Sequence, residues 1–349
     1  MSTTILSIAL DTVGAAAAFD WKSDSREMSL LPVKFPPRDA RQAVGLKSGA
    51  AIGTLVGEYV RELQAILELK IHTIAVSAPG TINFQSGVVL KSTRLGIHEA
   101  FNFPGFLRDR YGVTATIVND ADAAAVGEVR FGVGKSHGLR ASDSLDRFGD
   151  FAYVLVSEGI GCALFVNGKP YLGGGAAGHV GRMTIDPAGP ISETFSSRGP
   201  LESYASREAI SRQIVTEFRS AKDKALGKRE SSLEFNRVLA AVRDLSQVSV
   251  TEIATAVADE HPLAVAAVDE AARYLGIAIG ALMTIMNPPT VILGGDMIQS
   301  IPRYFSKAIE AAERFTWSGA WNNTILLQAQ MVDARLWGAA RLAGEASST

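Results

Sequence analysis

The chain has 349 residues, enough for two domains, and its 34 basic and 36 acidic residues leave a formal charge of −2. No basic surplus advertises nucleic-acid binding, and no charged tail suggests a solvating or disordered protein. A single cysteine, Cys162, excludes an intramolecular disulfide framework and a multi-cysteine zinc site, and it reads as a small buried apolar residue. Hydrophobic residues make up 47% and aromatics only 7%, so the cores are expected to be built from Ala, Val, Ile and Leu. Asp11 interrupts any leader-like apolar stretch, and the longest apolar span, Leu275 to Met286, falls short of the ~20 residues a bilayer requires. A cytoplasmic protein is the expectation.

Ile5 to Leu10 is an apolar run that stops at Asp11, and Gly14 to Phe19 predicts a second strand, making a hairpin bent at Asp11. Ile52, Val56, Val60 and Leu63 fall on one face of an amphipathic helix. Strands follow at Ile71 to Ser77 and Val113 to Val118, with a short helix near Phe106 to Tyr111 between them. The second strand runs into Asn119-Asp120, which opens an alanine-rich helix reaching Phe131. Gly132 to Asp150 reads as a loop. A second hairpin is expected at Tyr153 to Ser157 and Cys162 to Val166, with a turn at Asn167-Gly168. Beyond it lie a helix from Leu201 to Arg219 and the charged segment Ser220 to Glu230, expected to be a solvated helix or loop. A long helix ends near Asn287, a strand at Val291 to Leu293 breaks at Gly294-Gly295, and a strand at Thr324 to Gln330 precedes a terminal helix, Ala334 to Ala343. Hairpin, strand and helix thus recur from Phe151 onward, the pattern of a duplication with a ligand cleft between its halves.

Gly134-Lys135-Ser136 looks like the end of a phosphate loop, but Val129 stands where that motif needs its first glycine, so a surface loop is expected. The turns Asp11-Thr12-Val13-Gly14 and Ser157-Glu158-Gly159-Ile160-Gly161 are better anion candidates, because small residues let backbone N–H groups approach a phosphate. Gly294-Gly295-Asp296 offers bare backbone on which a flat base such as adenine could lie. Asp120 is the sharpest single residue: either it or Asn119 caps the helix, leaving the other side chain for another role.

The ordered series VSAPG (Val76 to Gly80), VNDADAAAVGEVRFG (Val118 to Gly132), EGIGCALFVNGKPYLGGGAAGHVGRMTI (Glu158 to Ile185), SSRGPLESYAS (Ser196 to Ser206), VILGGDM (Val291 to Met297) and DARLWGAARLAG (Asp333 to Gly344) resembles the ROK (repressor, ORF, kinase) family of the actin/hexokinase-like ATPases. The resemblance implies an α/β protein of two ribonuclease-H-like domains, mixed sheets flanked by helices, with an interdomain cleft. It places a small domain at 1–119 completed by 333–349, and a larger one at 120–332. It further implies ATP-dependent phosphoryl transfer to a hexose or N-acetylhexosamine hydroxyl. Asp120 matches the general base, needed because an alcohol is a poor nucleophile until a carboxylate takes its proton. Asn119, Glu202 and His179 match sugar-contacting positions. Gly14, Gly159, Gly161, Gly294 and Gly295 match the nucleotide and phosphate turns, and Asp11 the acidic residue near Mg²⁺. Outside the family, Glu202 reads as an ordinary first-turn helix carboxylate. A homodimer with a small-molecule sugar substrate is implied; with the first strand starting at Ile5, no nucleic-acid partner is expected, and no membrane partner either.

Four departures bear on activity. Val13 and Ala15 replace a glycine and a threonine of the first phosphate loop, and Ser157-Glu158 replaces a Gly-Thr pair in the second. A carboxylate at 158 repels phosphate unless it points away or meets a cation. His179 stands where the family has a sugar-gripping glutamate, and Arg182 replaces a zinc-ligating histidine. The segment SETFSSRGPLE carries none of the family's zinc cysteines, so no zinc is expected. Two readings remain: an ATP-dependent sugar kinase with altered selectivity, and a sugar-binding regulator without turnover.

Overall fold

The computed structural model describes residues 2–10, 16–31, 48–67, 70–192, 195–220, 230–242 and 248–347. They divide into two compact units, one of 1–149, 163–177 and 333–349, the other of 150–162 and 178–332. The first unit runs beyond the division expected at Asn119. The physical reason is that the helix following Asp120 packs along the C-terminal helix rather than leaving with the later chain.

The first sheet comprises β1 (Ser2–Ala9), β2 (Ala16–Lys22), β3 (Glu27–Leu30), β4 (Thr73–Ala78) and β5 (Thr114–Asn119). Their order is β3-β2-β1-β4-β5, antiparallel among the first three and parallel from β1 through β5. The alternation of a strand sends Leu6, Ile8 and Leu10 to one face and Ile5 and Ala9 to the other. The first face is covered by helix α1 (Gly49–Leu67), through Ile52, Val56, Val60 and Leu63, and by α2 (Phe103–Tyr111), through Phe103 and Leu107. The opposite face holds Phe19, Trp21, Ala75 and Val118 against Leu336, Ala339, Ala340 and Ala343. With both faces covered, Ile5 to Leu10 is apolar on both sides of the strand apart from the buried Ser7, as in buried parallel strands.

That second face is closed by α3 (Asp120–Phe131) crossing a later helix at Ala334–Ala346. Their backbones touch: a Cβ on Gly127 would lie 2.1 Å from the Ala334 carbonyl oxygen, and one on Gly338 would lie 1.7 Å from that of Ala123. Small side chains on both helices make this approach possible, and Trp337 fills the flank between Phe19 and Phe131, at 4.9 and 4.8 Å between ring centroids.

The second sheet repeats the first. β6 (Phe151–Val156), β7 (Ile160–Val166), β8 (Lys169–Pro170), β9 (Thr290–Gly294) and β10 (Ile325–Gln328) are ordered β8-β7-β6-β9-β10. The β7–β8 hairpin turns at Asn167 and Gly168, with φ of 51° and 70°, the left-handed pair a two-residue turn requires. The expected duplication is therefore present in topology. In the second unit α4 (Arg207–Ser220), α5 (Pro262–Met286) and α6 (Pro302–Phe315) supply the helical layer. The helix expected from Leu201 is broken: Glu202–Ala205 is a separate turn, and Ser206 is extended before α4 begins. The final helix is α7 (Ala334–Ala346).

Gly134-Lys135-Ser136 is not a surface loop. It lies in a helical turn, Val133–Ser136, and a Cβ on the buried Gly134 would sit 1.9 Å from the Val129 carbonyl oxygen. Cys162 is buried, as expected. Among the described residues no helix is long and apolar enough to cross a membrane.

Candidate active site

The candidate residues fall into one group in each unit, while Asp11 and Gly14, with Val13 and Ala15, lie outside the described residues. In the first unit β5 ends at Asn119, whose extended backbone makes it the N-cap of α3. Its Oδ1 accepts the N–H groups of Ala121 (2.8 Å) and Asp122 (3.3 Å), and its Nδ2 donates to the Gly80 carbonyl at 2.8 Å. Asn119 thus has the capping role that the sequence left open between it and Asp120. It also ties the helix start to the VSAPG turn. Gly80 has φ 128°, and a Cβ there would lie 2.5 Å from the Lys91 carbonyl oxygen, so only glycine presents its carbonyl this way. Asp120 occupies the first helical position, where the positive end of the helix favours a carboxylate; its Oδ1 accepts the Ala121 N–H at 2.9 Å.

Asp122, two residues along, was not singled out from the sequence. Burial, and then the neighbouring Asp120 charge, pushes its carboxyl up to about 7. A carboxyl raised above its unfolded value of 3.8 favours the fold fully at acid pH and loses that contribution as the pH climbs toward 7. Asp122→Asn is therefore expected to gain stability relative to the parent between about pH 5 and about pH 8, by about 2 kcal/mol. Parallel urea melts at the two pH values check this, and an unchanged difference would remove Asp122 from the account.

In the second unit three sequence-distant pieces meet at Ile160. The turn Ser157–Gly161 joins β6 to β7, and Glu202 Oε2 accepts the Ile160 N–H at 2.7 Å. A Cβ on Gly181, in the turn after His179, would lie 2.3 Å from the Ile160 carbonyl oxygen. Within the turn the Ser157 N–H donates to the Gly159 carbonyl at 2.9 Å. The Glu158 carboxylate meets a cation: Arg207 Nη2 lies 3.5 Å from its Oε2. Arg207 is fixed in turn by Nη1 donating to the Val248 carbonyl (3.1 Å) and by its N–H donating to the Ser157 carbonyl (2.9 Å). Arg207 was missed from sequence because its partner is 49 positions away and nothing local marks the pair. His179 is held toward its neutral form by burial and by the nearby Arg182 charge.

Gly294 and Gly295 have packing reasons of their own. A Cβ on Gly294 would sit 2.0 Å from the Tyr153 hydroxyl, and one on Gly295, at φ 98°, would sit 2.2 Å from the Val156 carbonyl oxygen. The bare backbone at the end of β9 is therefore demanded by β6 regardless of any ligand.

The cysteine-free segment is closed by other means. The Arg182 guanidinium stands 5.1 Å from the Phe195 ring centroid, a cation–π contact. Ile191–Ser192 pairs with Ser197–Arg198, the Ile185 N–H donates to the Gly199 carbonyl at 2.8 Å, and Tyr204 OH donates to Asp186 at 3.0 Å. Among the described residues no group of three or more His, Cys, Asp or Glu side chains is arranged to hold a metal. A chelator is accordingly expected to leave the melting temperature unchanged, whereas Phe195→Ala costs about 0.5–1 kcal/mol. A melt lowered by chelator would show a metal in this loop.

A family model described as the ROK family matches residues 48–346. The chain belongs to the ROK family. ROK relatives include the xylose repressor of Bacillus subtilis (strain 168), 26% identical over 74% of this chain and 57% of the repressor. The glucokinase of Streptomyces coelicolor is 26% identical over 79% of this chain and 81% of its own length. The chain spans about half to three fifths of the length of the first curated relatives it matches. In fold it resembles a ROK glucokinase from Streptomyces griseus, solved in complex with glucose and AMPPNP, with TM-score 0.72 and 23% identity over 99% of this chain and 100% of that one. A ROK transcriptional regulator homologous to the E. coli MLC protein gives 0.73 and 18%, over 99% of this chain and 78% of the regulator. Kinases and repressors of the ROK family thus share this fold, and the choice between them rests on the site.

Proposed function

We propose that this ROK protein is a sugar kinase that transfers a phosphoryl group from ATP to a hydroxyl of a hexose or N-acetylhexosamine. The observation that carries the reading is the division of labour at the start of α3. Asn119 does the capping, so the fold does not require a carboxylate at Asp120, and one stands there at the positive end of the helix. In charge, the second unit fits a nucleotide phosphate, because Arg207 beside Glu158 offsets the repulsion that carboxylate would exert. When bound, Mg·ATP supplies the transferable phosphoryl group; Gly159, Gly161, Gly294 and Gly295 would hold the nucleotide, with Asp11 and Gly14 at the first phosphate loop and Asp11 toward magnesium.

Asp120 accepts the proton of the sugar hydroxyl. Asn119, Glu202 and the neutral His179 orient the remaining hydroxyls, and a histidine in place of a glutamate shifts which sugar is preferred. Glucokinases and an N-acetylmannosamine kinase among the relatives support this substrate class. A cytoplasmic homodimer completes the reading; exposed Ile285 and Trp317 in the second unit are apolar surface that a second copy would cover.

A second reading, a sugar-binding regulator without turnover, is favoured by one observation. The N–H groups of Ser157 and Ile160 are already spent on Gly159 and Glu202, leaving fewer donors for phosphate. ADP release from Mg·ATP across hexoses, hexosamines and N-acetylated sugars separates the two. Sugar-dependent release that disappears in Asp120→Asn supports the kinase. Silence across the panel, with sugar still raising the melting temperature, supports the regulator.

A further inference from the structure

The opposite end of α3 carries a second charged cluster, about 15 Å of helix from Asp120. Arg130, in the last turn, is 5% exposed, and Arg341 on α7 is fully buried. Both turn to one carboxylate: Glu345 Oε1 accepts from Arg341 Nε at 2.9 Å, lies 2.8 Å from Arg341 Nη2 and 3.4 Å from Arg130 Nη2. The other contacts are neutral. Arg130 Nη1 donates to the Ala141 carbonyl (3.3 Å), Arg341 Nη1 donates to the Arg26 carbonyl (2.6 Å), and the Arg341 guanidinium stands 4.8 Å from the Trp21 ring centroid. Among the described residues the buried Nε of Arg130 has no hydrogen-bond partner. Such a group is costly to bury.

Trp21, Arg130 and Glu345 also line a pocket of about 370 Å³. Arg26 stands at its exposed rim, Arg130 and Glu345 in its wall, with Ser144, Leu145 and Gly168 completing it. Its charged lining, Arg26, Arg130 and Glu345, carries a surplus of one positive charge, and Arg341, bound to Glu345 but not itself in the lining, adds a second. Asp143, whose charge also acts on Arg130, is already engaged by Arg147 at 2.8 Å and by the Arg140 N–H at 3.0 Å. Nothing in the kinase reading uses this cluster.

We propose that this pocket is an anion site that takes a phosphate dianion, free or as the phosphomonoester of a small metabolite. The charge surplus matches a dianion, guanidiniums match phosphate geometry, and the Ser144 hydroxyl adds a neutral donor. The volume admits a phosphorylated sugar. Burial, and then repulsion from Arg341, holds the Arg130 guanidinium down at about 10, and a bound dianion relieves both.

The test is a thermal-shift and tryptophan-fluorescence titration of the whole chain with inorganic phosphate, a hexose phosphate and the unphosphorylated hexose, at constant ionic strength set by chloride. Both phosphate ligands are expected to raise the melting temperature, and Arg26→Gln, at the exposed rim and so safe for folding, to weaken them about tenfold. Tighter binding of the hexose phosphate names the phosphomonoester as the ligand, and equal binding names free phosphate. No shift with either ligand overturns the site. So does a shift of full strength in both Arg26→Gln and Arg130→Lys, which would assign the phosphate to the Ser157–Gly161 turn instead.

Discussion

Asp120→Asn is expected to lower sugar-dependent ADP release by about 10²–10⁴-fold, the range lost with a general base and equal to about 3–5 kcal/mol of barrier. The fold is expected to survive, because Asn119 continues to cap α3 and an asparagine Oδ1 at 120 can still accept the Ala121 N–H. Sugar binding, read as a thermal shift, is expected to persist, since the substitution removes proton acceptance and keeps the shape. An independent readout comes from Asp122. Its carboxyl is raised by burial and then by the Asp120 charge, so removing that charge moves its titration downward even if no sugar is turned over. Undiminished turnover in the variant would take Asp120 out of the base role, whatever happens at Asp122.

The largest effect on stability is expected at the crossing of α3 and α7. Gly338→Val places side-chain atoms where a Cβ alone would already lie 1.7 Å from the Ala123 carbonyl oxygen and 2.7 Å from the Gly127 backbone nitrogen. Neither neighbour is the end of a flexible side chain, so the helices must separate and uncover the face holding Phe19 and Trp21. Overpacking a core costs about 1–3 kcal/mol where side chains can yield, and this site belongs at or beyond the upper end. A melting temperature lowered by several degrees, or loss of soluble protein, is the expected outcome. Gly174→Ala, where a Cβ meets nothing within 4 Å, serves as the control and is expected to change little. Equal melts for the two variants would mean that the helix contact does not hold the first unit together.

What the sequence made legible was the part encoded by neighbours. The hairpins, the Asn167-Gly168 turn and the Asn119-Asp120 helix start all follow from residues within a few positions of one another. The third strand of each sheet did not show, for a physical reason: Glu27–Leu30 is a polar edge strand with little buried surface, and Lys169–Pro170 is two residues long. The cross-chain pairs were equally silent. Glu158 reads as a misfit until Arg207 is brought beside it, and nothing local to Glu202 announces its bond to the Ile160 N–H, 42 positions away. Arg341 did carry a signal in hindsight. It interrupts the small-residue stretch GAARLAG, on a helix whose remaining buried face is Ala, Gly and Leu, and a charge in such a stripe needs a partner.

The covering of β1 by α7 has a consequence for how the chain is made. Ile5 and Phe19 precede Leu336, Ala339 and Ala343, which cover them, by more than 300 positions. The segment 178–332 emerges between them and belongs wholly to the second unit. While that segment is made the sheet stays half-covered and apolar, and closing it requires contacts across more than 300 positions. The order of folding is set from the far end: the second unit can condense while the chain grows, and the first waits for its last helix.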